Sequence, residues 1–157
     1  MKKFFTILLL SALLNSSHAQ TTFQKTYGGS GSTQGRCFVS TTYDGGYAIC
    51  GTTQTFGAGG LDVYLVRTDG DGDILWTKTY GGPVQDVPLD IRQTTDSGFV
   101  ITGTSNSFGM QGNYDVYLIR TDKNGDTLFT KTYGSALNET GWSGQQTSDG
   151  GFIVAGN

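Results

Sequence analysis

Apolar residues along this chain come in short, dense runs. YAICG at 47–51, FVITG at 99–103 and FIVAG at 152–156 carry hardly a polar side chain, and neither do VYLV at 63–66 and VYLI at 116–119. Runs this short, rich in β-branched and aromatic residues and bounded by Gly, Asp or Asn, predict strands that are covered on both faces. The stretch before residue 80 alternates instead. Trp76, Lys78 and Tyr80 fall on one face against Leu75, Thr77 and Thr79 on the other, which predicts a strand nearer solvent. Twenty-five glycines and only two prolines fit many short strands joined by tight turns, and helix is nearly excluded.

The same pattern returns at a fixed interval. KTYGG at 25–29 recurs at 78–82 and as KTYGS at 131–135, and DVYLVRTDGDGDILWTKTY at 62–80 recurs as DVYLIRTDKNGDTLFTKTY at 115–133, a period of 53 residues. Four strands fit each unit. In the first unit, strand a is expected near 36–42, b near 47–53, c near 62–68 and d near 73–80. In the second they fall near 88–94, 99–105, 115–121 and 126–133, and the third holds strands a and b. Asp44-Gly45-Gly46, Asp96-Ser97-Gly98 and Asp149-Gly150-Gly151 are the turns from a to b, where glycine supplies the positive φ that hairpins need.

Four-stranded sheets that are apolar inside and more polar at the outer strand are wedged between like neighbours, as blades are. The expected fold class is therefore all-β, with propeller-type four-stranded antiparallel blades in tandem. A leading d-like strand at 23–27, two full blades and a partial third make about two and a half blades. A propeller normally closes with about 4 to 8, so the expectation is a truncated array whose exposed apolar ends associate with missing blades or with another copy.

The phrases WTKTYGG at 76–82, TTDSGFVITG at 94–103, and the stretches Asp62 to Asp73 and Asp115 to Asp126 resemble the β-propeller repeats of secreted Bacteroidota proteins. That resemblance covers essentially the whole mature chain. It implies an exported propeller, often within a longer protein that carries a C-terminal sorting domain for type nine secretion. It brings no catalytic residues. Some relatives of that kind carry endoglucanase or lectin labels, which imply a polysaccharide context.

Charge and compartment narrow the functions. Lys2 and Lys3, an apolar run from Phe4 to Leu14 and small residues ending at Ala19 read as a secretory signal peptide over 1–19, too short to span a bilayer. Without those lysines, eight basic residues face thirteen acidic ones and no basic cluster remains, which argues against nucleic acid and anionic membranes as partners. The single histidine, His18, leaves with the signal peptide. The usual general base of hydrolases and any His-containing zinc site go with it.

Several stretches invite a site. Asp69, Asp71 and Asp73 alternate like a calcium loop, but Ile74 and Tyr80 stand where such a loop needs Gly and a bidentate Glu, and the flanks are strands. The second copy, Asp122-Lys123-Asn124-Gly125-Asp126, places a lysine inside the cage, so a turn is preferred to a metal site and no cofactor is expected beyond that residual calcium reading. Cys37 and Cys50 flank the first a-to-b turn, and both a disulfide and two buried thiols remain open. GGSGSTQG at 28–35 and FGAGG at 56–60 lead into no helix, and no phosphate loop is built. They are the d-to-a and b-to-c loops. Phe56, Asp86, Phe108 and Tyr114 on such loops are the candidate exposed binding residues, with the alternative that both phenylalanines pack inward beneath their loops.

Three classes of function follow. The favoured one is a secreted, non-enzymatic propeller module that offers a binding or scaffold surface to a protein or glycan. The alternative is part of a polysaccharide-binding or polysaccharide-degrading protein, which would need a carboxylate pair that breaks the repeat. The third is a calcium-stabilised structural array.

Overall fold

The computed structural model describes residues 23–37, 40–109 and 112–157. The expected signal peptide at 1–19 lies outside the described residues. Eleven strands and no helix form among those that are described. The first sheet contains β1 (Thr33–Gly35), β2 (Ser40–Thr41), β3 (Tyr47–Thr53), β4 (Asp62–Thr68) and β5 (Ile74–Tyr80). Its order is β1-β3-β4-β5, with β2 also pairing β3. The second holds β6 (Asp86–Gln93), β7 (Phe99–Ser105), β8 (Asp115–Thr121) and β9 (Thr127–Tyr133) in sequence order. β10 (Gly141–Gln146) and β11 (Phe152–Gly156) form the third. Every ladder is antiparallel. These are propeller-type blades in tandem, two whole and one represented by strands a and b.

Strands b and c lie where their apolar runs predict, and d starts one residue later. Strand a of the first blade begins earlier than the expected 36–42: among the described residues it comprises β1 and β2, which pair the two ends of β3. Between them the Cys37 amide still donates to the Cys50 carbonyl at 3.1 Å. The expected leading strand at 23–27 makes no ladder, yet its side chains follow the repeat. Tyr27 donates to the Gly72 carbonyl as Tyr80 does to Gly125, both at 2.7 Å, and Lys25 meets Asp73 as Lys78 meets Asp126.

Burial follows the sandwiching of one sheet by the next. All seven residues of β4 are buried, and β7 is buried at every position but Thr104. Ala48, Cys50, Val63, Leu65 and Tyr80 of the first blade form one core with Ile91, Phe99, Ile101, Tyr117 and Ile119 of the second, and the Trp76 ring meets Phe99 edge-on at 6.1 Å. Leu75, Thr77 and Leu128 on the outer strands face solvent, as their alternation requires.

Each a-to-b hairpin uses the same three-residue loop. The Thr42 amide donates to the Gly46 carbonyl and the Gly45 amide to the Thr42 carbonyl, both at 2.9 Å, and the pattern repeats at Thr94 and Thr147. The third loop residue is left-handed, with φ of 83° at Gly45 and 85° at Gly150, and in the second blade Ser97 takes that place at 68°. Successive blades are also joined through their backbones. The Asp86 amide donates to the Leu61 carbonyl at 2.6 Å, and 53 residues on the Glu139 amide donates to Tyr114 at the same distance.

Candidate functional site

The b-to-c and d-to-a loops emerge at the end of the sheets where strand c begins, and the expected binding residues divide there. Phe56 and Phe108 are 43% and 48% exposed, and each ring leans on a strand-c tyrosine, Tyr64 at 5.6 Å and Tyr117 at 5.5 Å. They neither stand free nor disappear beneath the loop. Tyr114 is half-buried, its hydroxyl donating to Gln85 Oε1 at 2.7 Å and its amide to Asn138 Oδ1 at 2.9 Å. Asp86 corrects the expectation of an exposed residue, because it is fully buried. Its Oδ2 accepts from the Gly82 amide at 2.8 Å and the Ser107 hydroxyl at 2.7 Å. An acid at this seam must find donors once it leaves water, and the glycine-rich loop supplies them.

Asp86 does not stand alone. Asp62, 1% exposed, lies across the blade junction with Oδ2 accepting from the Ala58 and Gly59 amides at 3.1 and 3.4 Å. A Cβ on Gly81 would run into both carboxylates, so glycine is what lets them approach. Burial foremost, opposed by the two amides, and then the charge of Asp86 raise the Asp62 carboxyl above its ordinary range. Burial also pushes the Tyr117 phenol up, and both aspartates add to it. Asp115 and Glu139 repeat the pair 53 residues later around Gly134. There the Ser135 hydroxyl, foremost, and its amide hold Glu139 below the ordinary carboxyl range. Sequence reasoning missed this pairing. Its signal was the common period of 62/115 and 86/139, each acid close to a glycine.

The alternating aspartates do not converge. Asp69 Oδ1 accepts from the amides of Asp71 and Asp73 at 3.0 and 2.8 Å, as Asp122 does from Asn124 and Asp126. Asp73 turns to Lys25. These side chains close the c-to-d turn. Cys37 and Cys50 are free thiols in this structure, Cys50 buried and Cys37 half-buried. Cys50 is fully buried in the shared core as a small apolar residue, and burial, then the neighbouring Cys37, pushes its thiol well up.

Two further features complete the surface. Arg67 forks onto Asp44 and Arg120 onto Asp96, each from strand c to the a-to-b turn of its own blade. Beyond β8 and β9, an apolar cleft of about 680 Å3 opens against β11, lined among others by Leu118, Phe129, Phe152 and Val154. No protein-family model matches the chain, and no curated protein matches it. No group of three or more His, Cys, Asp or Glu side chains that could hold a metal ion forms among the described residues.

Proposed function

We propose that this chain is an exported, non-enzymatic propeller repeat module that offers a binding surface to a protein or glycan. The observation that carries the reading is the recurrence of a half-exposed phenylalanine on the loop-bearing end of both complete blades. Phe56 and Phe108 occupy the same place in successive units, each backed by a tyrosine. Rings held in this way at regular intervals suit stacking against sugar faces or an extended peptide. The acid pairs speak for a structural role, since Asp62 and Asp86 are buried away from any substrate and the pair recurs as Asp115 and Glu139.

A glycan array and a pull-down from the surrounding secreted proteins, run with the wild type and with Phe56→Ala plus Phe108→Ala, test the reading. Binding that drops at least tenfold in the double variant supports it. Binding that is unchanged removes the loop-bearing end as the surface.

The blade faces are the second foothold for partners. In the second blade the edge of β7 is covered by β8, whose Tyr117 and Ile119 enter the core. The corresponding edge of β11 has no strand against it among the described residues, and Phe152, Ile153 and Val154 line or flank the cleft there. A strand with the pattern of β8 fits this place, whether from a further blade or from another chain.

A further inference from the structure

At the first blade junction two buried carboxylates come together at Gly81 without a counter-charge. Asp62 and Asp86 are 1% and 0% exposed, and none of the five ion pairs among the described residues includes either. In each, Oδ2 is held by two donors, the Ala58 and Gly59 amides or the Gly82 amide and Ser107 hydroxyl. Oδ1 of each is buried with no hydrogen-bond partner. Two like charges removed from water demand either a shared proton or a cation. The four donors satisfy the two Oδ2 atoms alone, and a cation would supply what the partnerless Oδ1 atoms lack.

We propose that Asp62 and Asp86 hold a divalent cation of the calcium class between the first two blades. Calcium takes six to eight oxygens in adaptable geometry, from carboxylates, backbone carbonyls and water. The unpartnered Oδ1 of Asp62, which lies against Gly81, and the Asp86 carboxylate beside it are the anionic donors, and main-chain and water oxygens complete the shell. A cleft of about 380 Å3, lined by Gly57, Ala58, Asp62, Thr79, Tyr80 and Gly81, opens beside Asp62. With only two carboxylates the affinity belongs to the weak range of extracellular calcium modules, about 0.1 to 1 mM. The cation ties strand c of one blade to strand a of the next, beside the Leu61–Gln85 bridge. This site is separate from the turn at Asp69, Asp71 and Asp73, where Asp69 Oδ1 takes two backbone amides and Asp73 pairs with Lys25. In the next junction the longer Glu139 is partly exposed and takes up the Ser135 hydroxyl, so the first junction is the tighter site.

The test is thermal unfolding of the whole chain at pH 7 in about 5 mM calcium, above the weak range, and in EDTA. Calcium raises the wild-type melting temperature by about 3 to 6 °C. Asp62→Asn and Asp86→Asn abolish that rise, and in EDTA both melt no lower than the wild type because a buried charge is gone. Asp71→Asn keeps the full response. The proposal is overturned if both asparagine variants still respond to calcium. It is also overturned if the wild type ignores calcium, magnesium and manganese and instead gains stability as pH falls from 7 to 5, the sign expected of a carboxyl with a raised folded pKa that shares a proton. Should neither variant fold, terbium luminescence of the Asp71→Asn protein decides. Emission displaced by calcium supports the site, and absence of binding sinks it.

Discussion

Arg120 donates through Nη2 to both carboxylate oxygens of Asp96, at 2.7 and 2.6 Å, and locks strand c of the second blade to its a-to-b turn. Arg67 does the same to Asp44 in the first blade. The guanidinium side chains are 6% exposed, whereas the aspartates sit at the surface. Removing the aspartate therefore leaves a buried cation unpaired. Asp96→Asn is expected to cost about 1 to 2 kcal/mol in urea unfolding, discounted from a fully buried pair because the carboxylate is solvated. Asp149→Asn, where no arginine stands across the turn among the described residues, should move the urea midpoint far less than Asp96→Asn does. The same pair has an acid signature. The Thr94 hydroxyl, then Arg120, holds the Asp96 carboxyl down at about 2. A depressed folded pKa stabilises above the unfolded value, about 3.9, and that contribution is lost as pH falls towards 2. Wild type and Asp96→Asn should therefore converge in melting temperature across that window.

Ser97 occupies the left-handed position that glycine fills in the other two hairpins. A side chain there costs about 1 kcal/mol through contact between Cβ and the backbone. Ser97→Gly is expected to raise stability by about 0.5 to 1 kcal/mol, and Gly45→Ala to lower it by a similar amount, both measured by chemical denaturation. A destabilised Ser97→Gly protein would mean that the hydroxyl contributes more than the strain.

The free edge of β11 lies beside Asp149 and Gly151. Gly98 has the Arg120 guanidinium and the Thr121 carbonyl packed over it, while Gly151 has only the nearby Thr147 and Asp149. A synthetic peptide Asp-Val-Tyr-Leu-Ile-Arg-Thr should bind there, its tyrosine entering the cleft and its arginine reaching Asp149. Titration calorimetry is expected to show saturable binding that Asp149→Lys weakens at least tenfold. A peptide with arginine replaced by glutamate that binds equally well would rule out this register.

Cys50 is fully buried and Cys37 is half-buried. Under native conditions a small alkylating reagent should modify Cys37 faster, with Cys50 reacting only on unfolding, as mass spectrometry reads directly. The raised Cys50 thiol adds to this protection, since only the thiolate attacks.

Much of the fold was legible because it is local and repeated. The runs at 47–53, 62–68, 99–105 and 115–121 are strands to the residue, since each is a dense apolar segment closed by turn formers. The early start of the first strand a at Thr33 was not legible, because the polar residues Thr33, Gln34 and Gly35 carry no burial signal and pair through the register of β3. Asp86 was read as a loop residue open to ligands, for an acid at the end of the loop Gly81-Gly82-Pro83-Val84-Gln85 looks solvated in one dimension. Its burial arises from the approach of Gly82 and Ser107, which are 4 and 21 residues away.

The sequence by itself determined the period, the strand type and the turns, because propensity, side-chain alternation and left-handed positions act within a few residues. It also placed Phe56 and Phe108 at equivalent points of their units. Only the tertiary structure decided that Asp62 and Asp86 meet, that Cys37 lies against Cys50, and that Arg67 and Arg120 reach back to Asp44 and Asp96. Those relationships join residues brought together by sheet register and blade stacking, where burial and repulsion depend on separation in space and not along the chain.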